Sequence, residues 1–157
     1  MNGPPVARVG IIGLGTAGGL AARNLLAAGP AELILTVFDR EPAQCEPFRG
    51  NATLAASADE ALRESDVVVL ALPGQREIDR TLERFSDGKV GADIRGKLIW
   101  NLRSLPERAA AALRQAVETA GATYVAGPAD EATVARLLQR HFDAAGARAV
   151  MRAMRAA

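Results

Sequence analysis

Gly13-Leu14-Gly15-Thr16-Ala17-Gly18 stands between a continuous apolar run, Arg8 to Gly13, and a stretch rich in alanine and leucine, Thr16 to Ala28. No feature of the chain constrains its fold more. A glycine triplet at this spacing, entered from a strand and opening a helix, has a separate task for each member. The first permits a tight turn, the second lets a ligand's pyrophosphate approach the backbone, and the third lets helix and strand pack closely. Unpaired N–H groups and the positive end of the helix dipole then face the phosphates. Gly13, Leu14, Gly15, Thr16, Ala17 and Gly18 are therefore candidate cofactor-binding residues.

A second strand, Leu33 to Phe38, ends at Asp39, about twenty positions after Gly18 as a dinucleotide fingerprint requires. A carboxylate there can accept hydrogen bonds from the ribose hydroxyls of NAD and repel the extra phosphate of NADP. Arg40 works the other way, because a guanidinium can pair with that phosphate or stack on adenine. Asp39 makes NAD the expected cofactor, with NADP second.

The rest of the chain repeats the alternation of short apolar runs and amphipathic stretches that marks a parallel α/β sheet. A looser segment with Pro42 and Pro47 leads to a short strand at Ala52–Ala55. Ser57 and Glu60 form a capping box for a helix to about Glu64. Val67 to Leu72 is the most strand-like run, broken by Pro73-Gly74. Gln75 to Phe85 then reads as a helix with Ile78, Leu82 and Phe85 on one face. Lys97 to Leu102 is a fifth strand, and Pro106 opens a helix that Gly121 ends. Ala122 to Ala126 is a sixth strand. A helix opened by Asp130 or Thr133 presents Val134, Leu137, Leu138 and Phe142, and Gly146 closes it. Residues 147–157 read as an edge strand or a short docking helix. The expected architecture is a single Rossmann-type domain, α/β and doubly wound around a mainly parallel sheet, spanning 1–157.

Composition excludes several function classes. The formal net charge of +1 gives no pull toward nucleic acid or anionic membrane. Lysine occurs only at Lys89 and Lys97, and the arginines are spread rather than clustered. A single cysteine, Cys45, allows neither an internal disulfide nor a cysteine metal site, and no metal-ligand spacing occurs. No apolar run is long enough to span a bilayer, and Met1-Asn2-Gly3-Pro4-Pro5 lacks a basic-then-apolar leader. A cytoplasmic protein is expected.

The same segments resemble the β-hydroxyacid dehydrogenase family, which includes 3-hydroxyisobutyrate and 6-phosphogluconate dehydrogenases. Its members open with G-(F/I)-I-G-L-G-x-M-G. Here Gly10-Ile11-Ile12-Gly13-Leu14-Gly15-Thr16-Ala17-Gly18 departs only in carrying Ala17 where methionine is usual. Ala56-Ser57-Ala58-Asp59-Glu60, Asp66-Val67-Val68 and Leu72-Pro73 look like the family's A-S-x-x-E, A-D-V-V and L-P elements. The resemblance implies that Leu72 and Pro73 lie against the cofactor. It also places the family's D-x-S-T turn, near the nicotinamide, at Asn101-Leu102-Arg103-Ser104, where only Ser104 keeps its type.

Beyond about residue 125 the family's order breaks, and Asp130-Glu131-Ala132 through Phe142-Asp143-Ala144-Ala145-Gly146 looks instead like a later family block, the helix following a V-G-G-D-E-A turn. Ala126-Gly127-Pro128-Ala129-Asp130-Glu131-Ala132 lacks the serine and glycine pair of the family's D-x-P-V-S-G-G substrate loop. The helical second domain of the family, with its acid/base lysine, has no counterpart, and the positions of Lys89 and Lys97 fit neither for that role. Asn101, Arg103 and Ser104, at the rim where open α/β sheets bind ligands, are the remaining candidates for chemistry. Arg103 can grip a carboxylate or phosphate. His141 and Tyr124 read as structural, and Asp130 and Glu131 as helix N-terminal acids.

Three functions remain open on sequence. One is a reduced-size NAD(P)-dependent oxidoreductase acting on a small molecule, completed as a homodimer. Another is a dinucleotide-binding sensor or subunit without turnover. The last is a biosynthetic enzyme repurposed for cyclase or isomerase chemistry.

Overall fold

The structure, a computed structural model, describes residues 7–126 and 131–155. Six parallel strands form one sheet in the order β3-β2-β1-β4-β5-β6. They are β1 (Arg8–Ile12), β2 (Ile34–Phe38), β3 (Thr53–Leu54), β4 (Val67–Leu70), β5 (Leu98–Asn101) and β6 (Thr123–Ala126). The helices are α1 (Thr16–Ala28), α2 (Pro42–Cys45), α3 (Ala58–Arg63), α4 (Gln75–Thr81), α5 (Glu107–Thr119), α6 (Glu131–Leu138) and α7 (Ala144–Arg155), with a 3₁₀ turn at Glu46–Phe48. This order is that of the doubly wound dinucleotide-binding fold, whose strand order reverses beside β1 and opens a crevice there.

The strands are mostly apolar because both faces of the sheet are covered, with Thr36 and Asn101 as buried polar exceptions. Val9, Ile11, Val67, Val69, Leu98 and Trp100 turn toward α1, α6 and α7. Ile12, Val68, Leu70 and Ile99 turn toward α3, α4 and α5. On the first face Ala21, Ala22 and Leu25 of α1 meet a core that also takes in Ala147, Val150, Ala153 and Met154 of α7. Asn24 Nδ2 donates to the Ala153 carbonyl at 3.2 Å and ties these two helices together. Close packing recurs at Gly10, where a β-carbon would stand 2.2 Å from Ser65 Oγ.

The helix ends differ from the sequence expectations. The helix expected to Phe85 stops at Thr81, because Glu83 adopts a left-handed φ of 54° and Arg84 pairs with Asp79 at 3.0 Å across the turn. Phe85 is therefore not on the core but 68% exposed, while Ile78 and Leu82 are buried as expected. Gly146 does not close a helix; it stands in the first turn of α7 and donates its N–H to Asp143 Oδ1 at 2.7 Å. Asp143 is thus the N-cap that the sequence reading overlooked. Residues 147–155 continue as α7, so of the two readings of this segment the structure has the helix. Pro106 stands one position ahead of α5 as its N-cap residue. Asp130, expected to open a helix, lies outside the described residues together with 127–129 and 156–157.

Candidate functional site

The three glycines of the loop divide their tasks on steric grounds. Gly13 has φ +99° and leaves no room for a side chain, since a β-carbon would stand 2.2 Å from the Ala71 carbonyl oxygen. At Gly18 an added β-carbon would fall 1.8 Å from the Gly13 carbonyl oxygen, so α1 packs directly onto the end of β1. Gly15 is the opposite case. Nothing lies within 4 Å of a β-carbon built there, and its φ of −67° suits any residue. The protein's own packing does not require a glycine at position 15.

Gly15 is also the N-cap of α1 and offers no side-chain acceptor, and the helix carries no acid in its first turn. Gly15, Thr16 and Ala17 are exposed. The first-turn N–H groups of a 13-residue helix thus face outward without a carboxylate or hydroxyl to satisfy them. Such an end is suited to an anion.

The loop borders a cleft of about 970 Å³ along the C-terminal edge of the sheet. Ile12, Gly13, Gly15 and Ala17 form its floor, Phe38, Asp39 and Arg40 one end, and Leu102 and Arg103 another; Leu72 and Pro73 line it between them. Leu14 turns instead into the core. The sequence reading missed Ala58, Asp59, Glu77, Arg80 and Glu83, which also line the cleft from α3, α4 and the turn after α4. Ala58, Asp59 and Glu77 share a positional signal, since each lies in the first turn of a helix that follows a strand.

Asp39 has a role the sequence did not reveal. Its Oδ2 accepts the Leu14 N–H at 2.7 Å and its Oδ1 the Glu41 N–H at 2.8 Å. One carboxylate therefore pins the glycine loop to the end of β2. Arg40, beside it, is exposed and free of any ion pair or hydrogen bond among the described residues.

At the β5 end the candidates separate. Asn101 is fully buried, donates from Nδ2 to the Tyr124 hydroxyl at 3.1 Å and accepts the Arg103 N–H on Oδ1 at 3.0 Å. Both ends of its amide are used to hold the turn after β5. Burial pushes the Tyr124 hydroxyl pKa up. Arg103 lines the cleft, whereas Ser104 is exposed on the same turn and is not among the lining residues. Glu131 pairs with Arg155 at 2.9 Å and joins α6 to α7.

His141 and Lys97 stand at the opposite, N-terminal edge of the sheet. There Arg8 and Asp66 pair at 3.0 Å, and Lys97 Nζ donates to the Ser65 carbonyl at 2.6 Å. The Arg8 hydrogen bond holds the Asp66 carboxyl below its usual range, while burial pushes both His141 and Lys97 down. Among the described residues no cluster could hold a metal ion, and no helix is long and apolar enough to cross a membrane.

Comparison with known proteins fits this geometry. Among solved structures, the imine reductase of Pseudomonas sp. is 25% identical with a TM-score of 0.65, over 79% of this chain and 41% of that one. The Streptomyces aurantiacus imine reductase is 26% identical with a TM-score of 0.65, over 76% and 40%. An Aspergillus terreus reductive aminase in complex with NADPH and ethyl levulinate is 27% identical with a TM-score of 0.64, over 76% and 39%. The chain thus spans about two-fifths of the length of these relatives. No curated protein matches it. The family model described as the NAD binding domain of 6-phosphogluconate dehydrogenase matches residues 8–146, which takes in every strand of the sheet. The chain therefore belongs to that family of NAD binding domains.

Proposed function

We propose that this chain binds NAD(P)H in the cleft along the C-terminal edge of its sheet and serves as the cofactor-holding part of an oxidoreductase acting on a small molecule. The observation that carries this reading is the open space over Gly15, at the uncapped start of α1. A glycine that neither φ nor packing requires is explained by a ligand that comes within a β-carbon's distance of the backbone. The pyrophosphate would lie on the N–H groups of Gly15, Thr16, Ala17 and Gly18, with Gly13 and Leu14 shaping the turn and Leu72 and Pro73 flanking it. When bound, the nicotinamide supplies or accepts a hydride; the chain's own residues bind it, orient it and shield one side.

Cofactor choice turns on Asp39 and Arg40. Each Asp39 oxygen accepts one backbone N–H and keeps a second lone pair that a ribose hydroxyl can use, which leaves the expected NAD contact open. Arg40 is unpaired at the same end of the cleft and suits a 2′-phosphate. We therefore read the site as accepting NADP(H) as well as NAD(H). A second copy of the chain, in a homodimer, would cover the rim near Arg103, where chemistry has to be kept from water.

Gly15→Ala provides the test. Its backbone conformation and surroundings accept a methyl group, so the fold is retained while the phosphate approach is filled. Calorimetric titration of the parent with NADPH and NADH is expected to give saturable binding, weakened at least about tenfold in Gly15→Ala. Parent protein that binds neither nucleotide, or a variant that binds as well as the parent, would overturn the reading.

A further inference from the structure

Arg103 stands where the fold places the reacting end of a dinucleotide. In a doubly wound sheet each half of the strand order takes one mononucleotide, and the residues after β2 take the adenosine ribose. The cleft runs from Asp39 and Arg40, after β2, to Leu102 and Arg103, after β5. The nicotinamide half therefore falls toward Arg103.

The guanidinium is exposed, lines the cleft and has no ion pair or hydrogen bond among the described residues. Its backbone, by contrast, is fixed. The Arg103 N–H is held by Asn101 Oδ1 at 3.0 Å, and the fully buried Asn101 is held in turn by the Tyr124 hydroxyl at 3.1 Å. The other charged residues lining the cleft, Asp39, Arg40, Asp59, Glu77, Arg80 and Glu83, come from the end of β2, from α3 and from α4 with its following turn. Asp59 is paired with Arg63 at 2.7 Å, and none of them is paired with Arg103.

We propose that the unpaired Arg103 makes this cleft discriminate between redox states of the dinucleotide, holding the reduced form in preference to the oxidised one. The proposal rests on the reading of the cleft as a dinucleotide site. Its physical basis is a difference of one charge: the dihydronicotinamide ring is neutral and the oxidised ring is a cation. A cation anchored by its backbone at that end raises the free energy of the oxidised complex and leaves the reduced complex nearly untouched. Because the guanidinium is exposed, solvent and salt screen the effect to a modest size. Arg103 is a selectivity residue here and takes no part in proton or hydride transfer.

Calorimetric or fluorescence titration with NADPH and NADP⁺ at low ionic strength tests this on the parent, Arg103→Gln and Arg103→Lys. The expected result is that the parent prefers NADPH and that the preference falls about three- to fivefold in Arg103→Gln through tighter NADP⁺ binding. Arg103→Lys, which keeps the charge, is expected to retain it. The preference should also shrink as salt is added. An unchanged ratio in Arg103→Gln overturns the proposal. So does equal weakening of both forms, which would make Arg103 a phosphate contact. Failure of the parent to bind either nucleotide would instead remove the underlying dinucleotide reading, so the two failures are distinct.

Discussion

At the residue scale, three glycines that look alike in sequence do different work, and substitution separates them. Gly18→Ala drives a methyl group into the Gly13 carbonyl, which is backbone and cannot rotate away. Either α1 lifts from β1 or the loop distorts, at a cost on the order of 2–3 kcal/mol. Gly13→Ala adds an unfavourable φ of +99° to a clash with the Ala71 carbonyl and is expected to cost at least as much. Gly15→Ala has neither problem, so its stability should stay within about 0.5 kcal/mol of the parent. Urea denaturation of the three variants checks the order. A Gly15→Ala midpoint as low as that of Gly18→Ala would mean that position 15 is kept for packing after all.

At the element scale, the strands were legible in sequence because burial on both faces leaves them almost no polar residues. Val67–Leu70 shows this most clearly, and all four of its residues are buried. The ends of helices were less legible. The run from Gln75 to Phe85 keeps helical spacing up to Leu82, yet the left-handed Glu83 and the tertiary pairing of Arg84 with Asp79 end the helix. No periodicity encodes that pairing. Gly146 misled because glycine commonly follows a helix, whereas here an aspartate three positions earlier starts the next one. The glycine loop was legible as a motif, but Asp39's grip on Leu14 was not, since it joins residues 25 apart in sequence. The cap can be tested directly. Asp143→Ala leaves the Gly146 N–H without its acceptor and should cost about 1 kcal/mol, read as a lower denaturation midpoint, with dinucleotide affinity unchanged.

At the scale of the molecule, the two edges of the sheet divide the labour. The C-terminal edge carries the glycine loop and cleft, while the N-terminal edge gathers Arg8, Asp66, Lys97 and His141. Acid stability should therefore be set at one edge and ligand affinity at the other. Burial holds the His141 pKa below its ordinary 6.5, against the pull of Asp66 and with the help of Arg140 and Lys97. The unfolded chain then binds a proton more readily than the folded one. The resulting stability is complete above about pH 6.5 and is lost as pH falls through the lower, folded value. Asp66, also depressed, adds a second loss at more acid pH, below the ordinary carboxylate range. In His141→Gln the first step should vanish, so stability falls less between about pH 7 and pH 5 than in the parent. Urea midpoints across that range measure the step, and NADPH titration at neutral pH measures the affinity. A variant that keeps the parent's pH profile would show that His141 does not set the step. A variant that loses NADPH affinity would show that the two edges are coupled through the strands between them.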